Sequence, residues 1–208
     1  PIDGSSSMSQ NPYGTVMNFG IKQGFAKVHF QSIISSNHKL SYGLNTIFYN
    51  VNPGSIEPTC KDSTFVTPIY LGIEQGVEAA LYVSDTWDIT DKFSTDLGIR
   101  YSSFFAMKPF KYYGGPEFRL SGKYLIDDIF TVKAGFNSMM QYIHMLSNTT
   151  TASPTDTWKL SDVDIKPQSG WQAAAALYAN LFENQVEASV EGYYKRMKNY
   201  LDYADGAV

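Results

Sequence analysis

The fold is decided by the stretch EAALYVSDTWDITDKFSTDLGIRYSSF, residues 78–104, in which apolar and polar residues alternate on both sides of a short polar turn. Side chains of a β-strand point to opposite faces with a period of two. After the turn, Leu97 and Ile99 fall on one face, whereas Asp96 and Arg100 fall on the other. The stretch therefore predicts a β-hairpin with one apolar and one polar face.

The composition favours strands and excludes several classes of function. Of the 208 residues, 15% are aromatic and 17% are charged, a bias toward Tyr and Phe that suits β-structure. The net charge is −4 and no basic stripe stands out, so nucleic acid is not expected as a partner. Cys60 is the single cysteine, which excludes an intramolecular disulfide and a cysteine-based zinc site. No run of 18 apolar residues suggests a membrane-spanning helix.

The alternation recurs in eight extended segments, which are separated by connections of unequal length. Short turns are predicted near residues 35, 90, 127 and 183, and long loops near 51–75, 106–115 and 144–170. Gly24 lies inside the first segment and predicts a kink or bulge there. The prolines of the first long loop are expected to exclude a central strand.

Regular sorting of short turns and long loops is typical of an outer-membrane β-barrel, whose long loops face outward. About 9–11 tilted residues cross a bilayer as a strand, and a closed barrel satisfies every backbone hydrogen bond in lipid. We therefore expect an all-β, antiparallel, up-and-down transmembrane barrel segment of about eight strands. Residues 1–13 would form a flexible lead-in and residues 14–208 the barrel segment. The polar face would line the lumen and carry Asp96, Arg100, Glu117, Arg119, Lys123, Lys133, Glu187 and Glu191.

Two alternatives remain open on these residues. The Ala-rich run that begins at Trp171, together with the segment that follows it to Met197, also fits the spacing of a helix. Eight strands could also close a small barrel of their own or form a soluble β-sandwich with a binding or structural role.

No motif supports an enzyme, a metal site or a cofactor. Neighbouring aspartates, such as Asp127 with Asp128 and Asp162 with Asp164, are interpreted as turn residues that bond to the local backbone. No GxSxG motif is present, and the glycines at 114–115 precede a strand rather than the helix that a phosphate loop requires. No catalytic residue is therefore predicted.

Aromatic residues at the borders between strands and loops have two interpretations. They fit an interfacial girdle, where amphipathic rings are enriched, or a stacking surface for a ligand in the outer mouth. Trp171 is assigned to the girdle. Tyr112, Tyr113 and Trp158 are the candidate ligand-binding residues of the outer loops.

Four stretches resemble the barrel region of TonB-dependent outer-membrane receptors, most closely of the Bacteroidetes type. They include LYVSDTWDIT, GPEFRLSGKY, QYIHMLSNT and VEGYYKRM, and the resemblance covers most of residues 14–208. It implies localisation in the outer membrane, a 22-stranded barrel filled by a plug, and import of a scarce nutrient such as a siderophore, cobalamin or a glycan. The implied partners are outer-membrane lipid, the rest of the barrel and plug, the TonB energy-coupling complex and a small nutrient ligand. No plug, TonB box or signal sequence is recognised in these residues, so the chain is expected to be an internal barrel segment that does not transport alone.

Overall fold

The computed structural model describes residues 2–7, 15–58, 69–147, 156–182 and 185–201. All regular structure in these ranges is extended: β1 Ile2–Ser7, β2 Thr15–Ser35, β3 His38–Pro58, β4 Ile69–Tyr70, β5 Glu74–Thr90, β6 Phe93–Met107, β7 Phe110–Leu125, β8 Phe130–Gln141, β9 Ile143–Ser147, β10 Asp156–Leu160, β11 Gln168–Leu181 and β12 Val186–Lys198. Within this part of the chain, no helix has the length and apolarity needed to cross a membrane. Cys60 lies outside the described residues.

The long strands form one antiparallel sheet in the order β1-β2-β3-β5-β6-β7-β8-β11-β12, with β4 added beside β3. Each long strand pairs with the long strands that precede and follow it in sequence, which is the up-and-down arrangement predicted from the alternation. The Ala-rich run forms β11 and pairs in register with β12 from Leu181↔Val186 to Ser169↔Lys198. The strand interpretation of this region is confirmed, and the helical alternative is wrong.

The connections lie at the two ends of the sheet, and both long connections share one end. At the first end, which we call the turn end, the strands are joined by residues 36–37, 91–92, 126–129 and 182–185. At the second, the loop end, they are joined by residues 59–73, 108–109 and 142–167. The third loop-end connection contains the hairpin of β9 and β10, paired from Leu160↔Ile143 to Asp156↔Ser147.

The long loop predicted near 106–115 is wrong. Strands β6 and β7 continue to the tip of a tight turn, where Met107 pairs with Phe110 and Lys108 and Pro109 are joined by a cis peptide bond. Gly114 and Gly115 are part of this ladder, in which they pair with Ser103 and Ser102, respectively. Continuing the ladder satisfies backbone groups that an irregular loop would have to pair with water.

Three further sequence expectations differ from the structure. The register of β2 and β3 runs unbroken through Gly24↔Phe48, so Gly24 is not a bulge. The irregularity lies instead where Pro53 and Gly54 oppose Phe19, and Gly54 has a φ of 148°. Because the ladder between β2 and β3 is already interrupted at this bulge, Pro53, which has no backbone N–H, removes no ladder hydrogen bond there. Residues 2–7, assigned to a lead-in, form β1 and pair with β2.

The two faces of the sheet are chemically distinct. One face, which we call the outer face, exposes apolar side chains on β3, β5, β6, β7 and β11: Tyr42, Leu44, Leu81, Val83, Leu97, Ile99, Leu120 and Leu177. Aromatic pairs flank this belt. They are Phe105–Tyr112, Phe136–Trp171 and Trp171–Tyr194 toward the loop end, and Phe93–Tyr124 toward the turn end. Phe93 and Tyr101 are eight residues apart on β6, about 27 Å along a strand, which suits an apolar band about 25 Å tall.

The described strands neither close on themselves nor stack in two layers. Strands β1 and β12 are the two edges of the sheet and do not pair with each other in the described residues. The small β9–β10 sheet is the only other one in those residues, and it has two strands. The described residues therefore form neither a self-contained eight-stranded barrel nor a sandwich, the alternatives left by the sequence.

Candidate functional site on the inner face

The face opposite the apolar belt, which we call the inner face, carries the predicted lumenal residues. Cross-strand register places Arg100 opposite Glu117 and Lys123 opposite Lys133. Asp96 accepts hydrogen bonds from Thr86 Oγ1 at 2.6 Å and Ser121 Oγ at 3.2 Å. Side chains of a strand alternate between the two faces, so Arg119 on β7 and Glu187 and Glu191 on β12 also point to the inner face. The structure brings only Arg100 and Glu117 of the predicted set into an ion pair among the described residues.

Arg100 is the centre of a half-buried charge network. Its Nη2 donates to Glu78 Oε1 at 2.8 Å, and its Nε lies 3.7 Å from Glu117 Oε2, a charge contact too long for a hydrogen bond. Glu78 also accepts from Tyr49 Oη at 3.0 Å, and Glu117 accepts from Ser102 Oγ at 2.6 Å. The side chains of Glu78 and Glu117 are 12% and 13% exposed, so their charges depend on these partners.

The β9–β10 hairpin folds back onto the inner face at the loop end. Glu74 anchors it, since one carboxylate oxygen pairs with Lys159 Nζ and the other accepts from the backbone N–H of Leu160 at 2.7 Å. Tyr113 Oη donates to the carbonyl of Asp162 at 2.6 Å. Tyr142 Oη and Ser102 Oγ lie 2.8 Å apart, which joins the hairpin to the Arg100 network.

An apolar cluster lies between the hairpin and the wall. Its buried members are Tyr49, Val51, Phe104, Ala106, Tyr142 and Leu160, and Trp158 packs at its margin. The rings of Phe104 and Tyr142 are stacked, with centroids 4.9 Å apart. Phe104 covers Gly76, whose hypothetical Cβ would lie 2.6 Å from the ring, so only glycine allows this close packing. The hairpin is thus a packed element of the inner face.

Burial changes the acid–base properties of the hairpin. Burial raises the pKa of Tyr142 to about 12, so its hydroxyl is neutral and can donate. Burial lowers the pKa of His144, whose Nε2 lies 2.9 Å from Ser161 Oγ. For Lys159, burial acts to lower the pKa, but the hydrogen bond and charge of Glu74 and the charge of Asp162 outweigh it and raise the pKa. Lys159 is therefore held as a cation between two carboxylates.

The predicted aromatic ligand residues are divided between the two faces. Tyr113 and Trp158 both pack against the apolar cluster on the inner face, and Tyr113 also bonds the carbonyl of Asp162. Tyr112 points to the outer face, where its ring packs on Phe105 and its hydroxyl lies 3.4 Å from that of Tyr101. Neighbouring residues of a strand alternate in direction, so Tyr112 and Tyr113 cannot face one ligand together. Trp171 also lies on the outer face, where a girdle residue belongs.

Below the hairpin the inner face forms an open trough of about 380 Å³. Its charged and polar lining comes from six neighbouring strands, β2, β3, β5, β6, β7 and β8, and includes Lys27, His29, Asn45, Tyr82, Arg100, Glu117, Arg119 and Ser138. Tyr82 Oη bonds His29 Nδ1 at 2.8 Å and lies over Gly43, where a Cβ would be 2.7 Å from that hydroxyl. The trough can hydrogen-bond a polar solute and neutralise an anionic one.

The described residues were compared with the arrangement that a metal ion requires. No group of three or more His, Cys, Asp or Glu side chains among them could hold a metal ion. Asp127 and Asp162 instead accept backbone N–H bonds from the residues two and three positions ahead, as the turn interpretation predicted. Glu74, Tyr142 and Lys159 were not predicted as site residues from the sequence. Glu74 and Lys159 are 85 residues apart, so no local pattern could have connected them.

Comparisons with known proteins agree on one architecture. The family model described as "TonB dependent receptor-like, beta-barrel" matches residues 3–208. The comparison with curated proteins finds no match. Among solved structures, the chain is similar to the FrpB iron transporter from Neisseria meningitidis, with a TM-score of 0.59 and 13% identity over 89% of this chain and 29% of that one.

Two further solved structures give the same result. They are P. aeruginosa FpvA bound to heterologous pyoverdines (TM-score 0.65, 11% identity, 93% of this chain and 28% of that one) and the alcaligin outer-membrane receptor FauA from Bordetella pertussis (TM-score 0.57, 13% identity, 99% and 34%). At these identities the likeness shows a shared fold. The chain spans about a third or less of the length of each of these proteins.

Proposed function

Because the chain belongs to the family of TonB-dependent receptor-like β-barrels, we propose that it forms part of the wall of a receptor that imports a scarce nutrient by energy-coupled transport. The family consists of outer-membrane transporters and receptors rather than enzymes, which places the chain in the outer membrane. The proposed partners of the whole protein are the rest of the barrel, a plug, the TonB energy-coupling complex and a small nutrient ligand. The Bacteroidetes type stays a prediction that the quoted phrases support.

The observation that carries this proposal is the one-sided sheet with the β9–β10 hairpin folded onto its polar face. An apolar outer face suits lipid, and a polar inner face suits a water-filled lumen. The hairpin lies at the loop end, which faces outward in such barrels. A solute that entered from outside would meet the hairpin first and the trough second.

Within the site we propose different roles for the hairpin and for the trough below it. Tyr113 and Trp158, at the hairpin, would offer aromatic surface to an incoming ligand. Arg119 and Lys27, in the trough, would attract anionic groups, whereas Arg100 is already neutralised by Glu78 and Glu117. Tyr112 has no part in ligand binding in this proposal because it lies on the outer face.

The substrate class is proposed from three candidates: a siderophore, cobalamin or a glycan. Two of the similar structures are described with pyoverdines or alcaligin, so ferric siderophores come first in the test. The test is uptake of a labelled member of each class by cells that express the full receptor, with and without a functional TonB complex. We expect one class to accumulate only when TonB is functional. Equal uptake with and without TonB, or uptake of none of the three, would contradict the proposal.

A further inference from the structure

Gly98 leaves a notch in the floor of the trough. A Cβ at this position would lie 3.3 Å from the Cβ of Ser84 on β5 and 3.6 Å from the Cβ of Arg119 on β7. Gly98 pairs in register with both residues, and all three line the trough. The notch is therefore open to the trough, with a hydroxyl on one side and a guanidinium on the other.

Arg119 is exposed, and no ion pair of the described residues includes it. Two carboxylates lie near it by register, and both are engaged elsewhere: Glu117 beside Arg100, and Asp96 as the acceptor of two hydroxyl hydrogen bonds. A guanidinium has five N–H donors in a planar fork. Arg119 therefore keeps its capacity to bind a bidentate acceptor.

The notch has the size and the charge that suit an anionic group. Neighbouring strands are about 4.8 Å apart, so β5 and β7, which flank β6, are about 10 Å apart. The missing side chain of Gly98 leaves this gap free between Ser84 and Arg119. Lys27 adds a second cation to the trough, whose one carboxylate among the described residues is the engaged Glu117.

We propose that Arg119, Ser84 and Gly98 form a binding site for an oxyanion group of the imported solute, a carboxylate, phosphate or sulfate; this inference rests on the proposed transport function. Arg119 donates to two oxygens side by side, which is the geometry that planar anions favour. The hydroxyl of Ser84 donates to the group from the other side. Gly98 lets the group approach the sheet.

The site restricts the class of substrate. A solute that carries a free carboxylate, phosphate or sulfate matches the donors, whether it is a siderophore or an acidic glycan. An uncharged glycan has no such group and leaves the guanidinium without a partner. The imported solute is therefore anionic.

The test is modification of the folded full receptor in detergent by p-hydroxyphenylglyoxal, which reacts with arginine, followed at each arginine by peptide mass spectrometry. Arg100 is the internal reference, because it must first leave Glu78. We expect Arg119 to react about tenfold faster than Arg100, the size of one hydrogen bond between charged groups. Sodium phosphate, sulfate and acetate are the probes, each compared with sodium chloride at the same ionic strength. At least one of the three should protect Arg119 where chloride does not, and the most effective probe identifies the group.

Two variants test the notch itself. Ser84→Ala should raise the probe concentration needed for half-protection about tenfold, because one hydrogen bond to a charged group is lost. Gly98→Ala removes no donor but places a methyl group in the notch, so it should also raise that concentration. Ser94→Ala is the matched control: it removes a hydroxyl from the same strand as Gly98, outside the trough, and should leave the concentration unchanged.

Three results would overturn the proposal. Equal rates at Arg119 and Arg100 would show that Arg119 is occupied by another part of the receptor. Equal protection by chloride and by all three probes would show that only ionic strength acts. Protection that Ser84→Ala does not weaken would place the anion outside the notch. The measurement needs neither TonB nor uptake, so each of these results can be told apart from failure of the proposed transport function.

Discussion

Arg100 is the cation on which two inner-face carboxylates, Glu78 and Glu117, depend. It lies between two carboxylates on neighbouring strands and is 32% exposed. Removing one partner of a half-buried ion pair leaves the other charge without compensation, which costs more than the pair itself contributes. Lys123 offers the contrast. It is exposed and lies opposite Lys133, a like charge that directly opposes it across the strands.

We therefore expect Arg100→Met to destabilise the receptor by about 1–3 kcal/mol, because Glu78 and Glu117 lose their cation. Lys123→Met is the control and should leave stability unchanged or slightly higher. The measurement is the thermal unfolding midpoint of each full receptor in detergent. Equal midpoints for the two variants would show that the Arg100 network carries no stability.

At the scale of elements, the β9–β10 hairpin is the least expected part of the structure. It contributes a buried tyrosine, a buried leucine and a buried histidine to a wall made otherwise of long strands. Its docking rests on specific groups: Glu74 on the wall, and Lys159 and the backbone N–H of Leu160 on the hairpin. Because such an element can open without unfolding the sheet, its stability can be measured separately.

His144 makes the docking of this hairpin sensitive to acid. Its pKa is lowered by burial, so the open hairpin binds more protons than the docked one. Docking is consequently at full strength above the ordinary histidine pKa of 6.5 and weakens as the pH falls below that value. We expect hydrogen exchange at the Leu160 and Ser161 amides, which are bonded to Glu74 and Tyr142, to accelerate in that range.

The variant His144→Gln supplies the control for this prediction. Glutamine can keep the hydrogen bond to Ser161 Oγ but does not titrate. Exchange at the Leu160 amide should then lose its dependence on pH just below 6.5 after correction for the intrinsic rate. If the wild type and His144→Gln respond identically, another group controls the docking.

At the scale of the whole molecule, the sheet behaves as a partition between lipid and water. Leu97 and Ser84 lie on neighbouring strands, Leu97 facing the apolar belt and Ser84 lining the trough. The same charged side chain should therefore have opposite consequences at the two positions. This contrast tests the orientation of the wall rather than any single contact.

We expect Leu97→Arg to reduce folding of the full receptor into phospholipid vesicles, at a cost of about 2–4 kcal/mol for an arginine near the middle of the bilayer. Ser84→Arg places the same charge in the polar trough and should insert nearly as well as the wild type. The folded fraction can be followed by the shift of the folded barrel in electrophoresis without heating. Equal loss in both variants would show that Leu97 does not face lipid.

The strands and their faces could be predicted from the sequence because alternation is a local property. Leu97 and Asp96 differ in direction whatever surrounds them, since the period of a strand is two. Loop lengths were less predictable. Residues 106–115 have the Gly and Pro content of a loop, yet the ladder between β6 and β7 continues to their tip because cross-strand hydrogen bonds outweigh that local preference.

The amino-acid sequence by itself determined the all-β class, the polar and apolar faces, the short turns and the family to which the chain belongs. Only the tertiary structure decided that the ladder continues through Tyr112 and Tyr113, that Glu74 pairs with Lys159, and that His38 lies beside Asp85. The reason is physical. Direction along a strand follows from the residue's own position, whereas partners across 47 or 85 residues meet only after register and loop folding have brought their strands together.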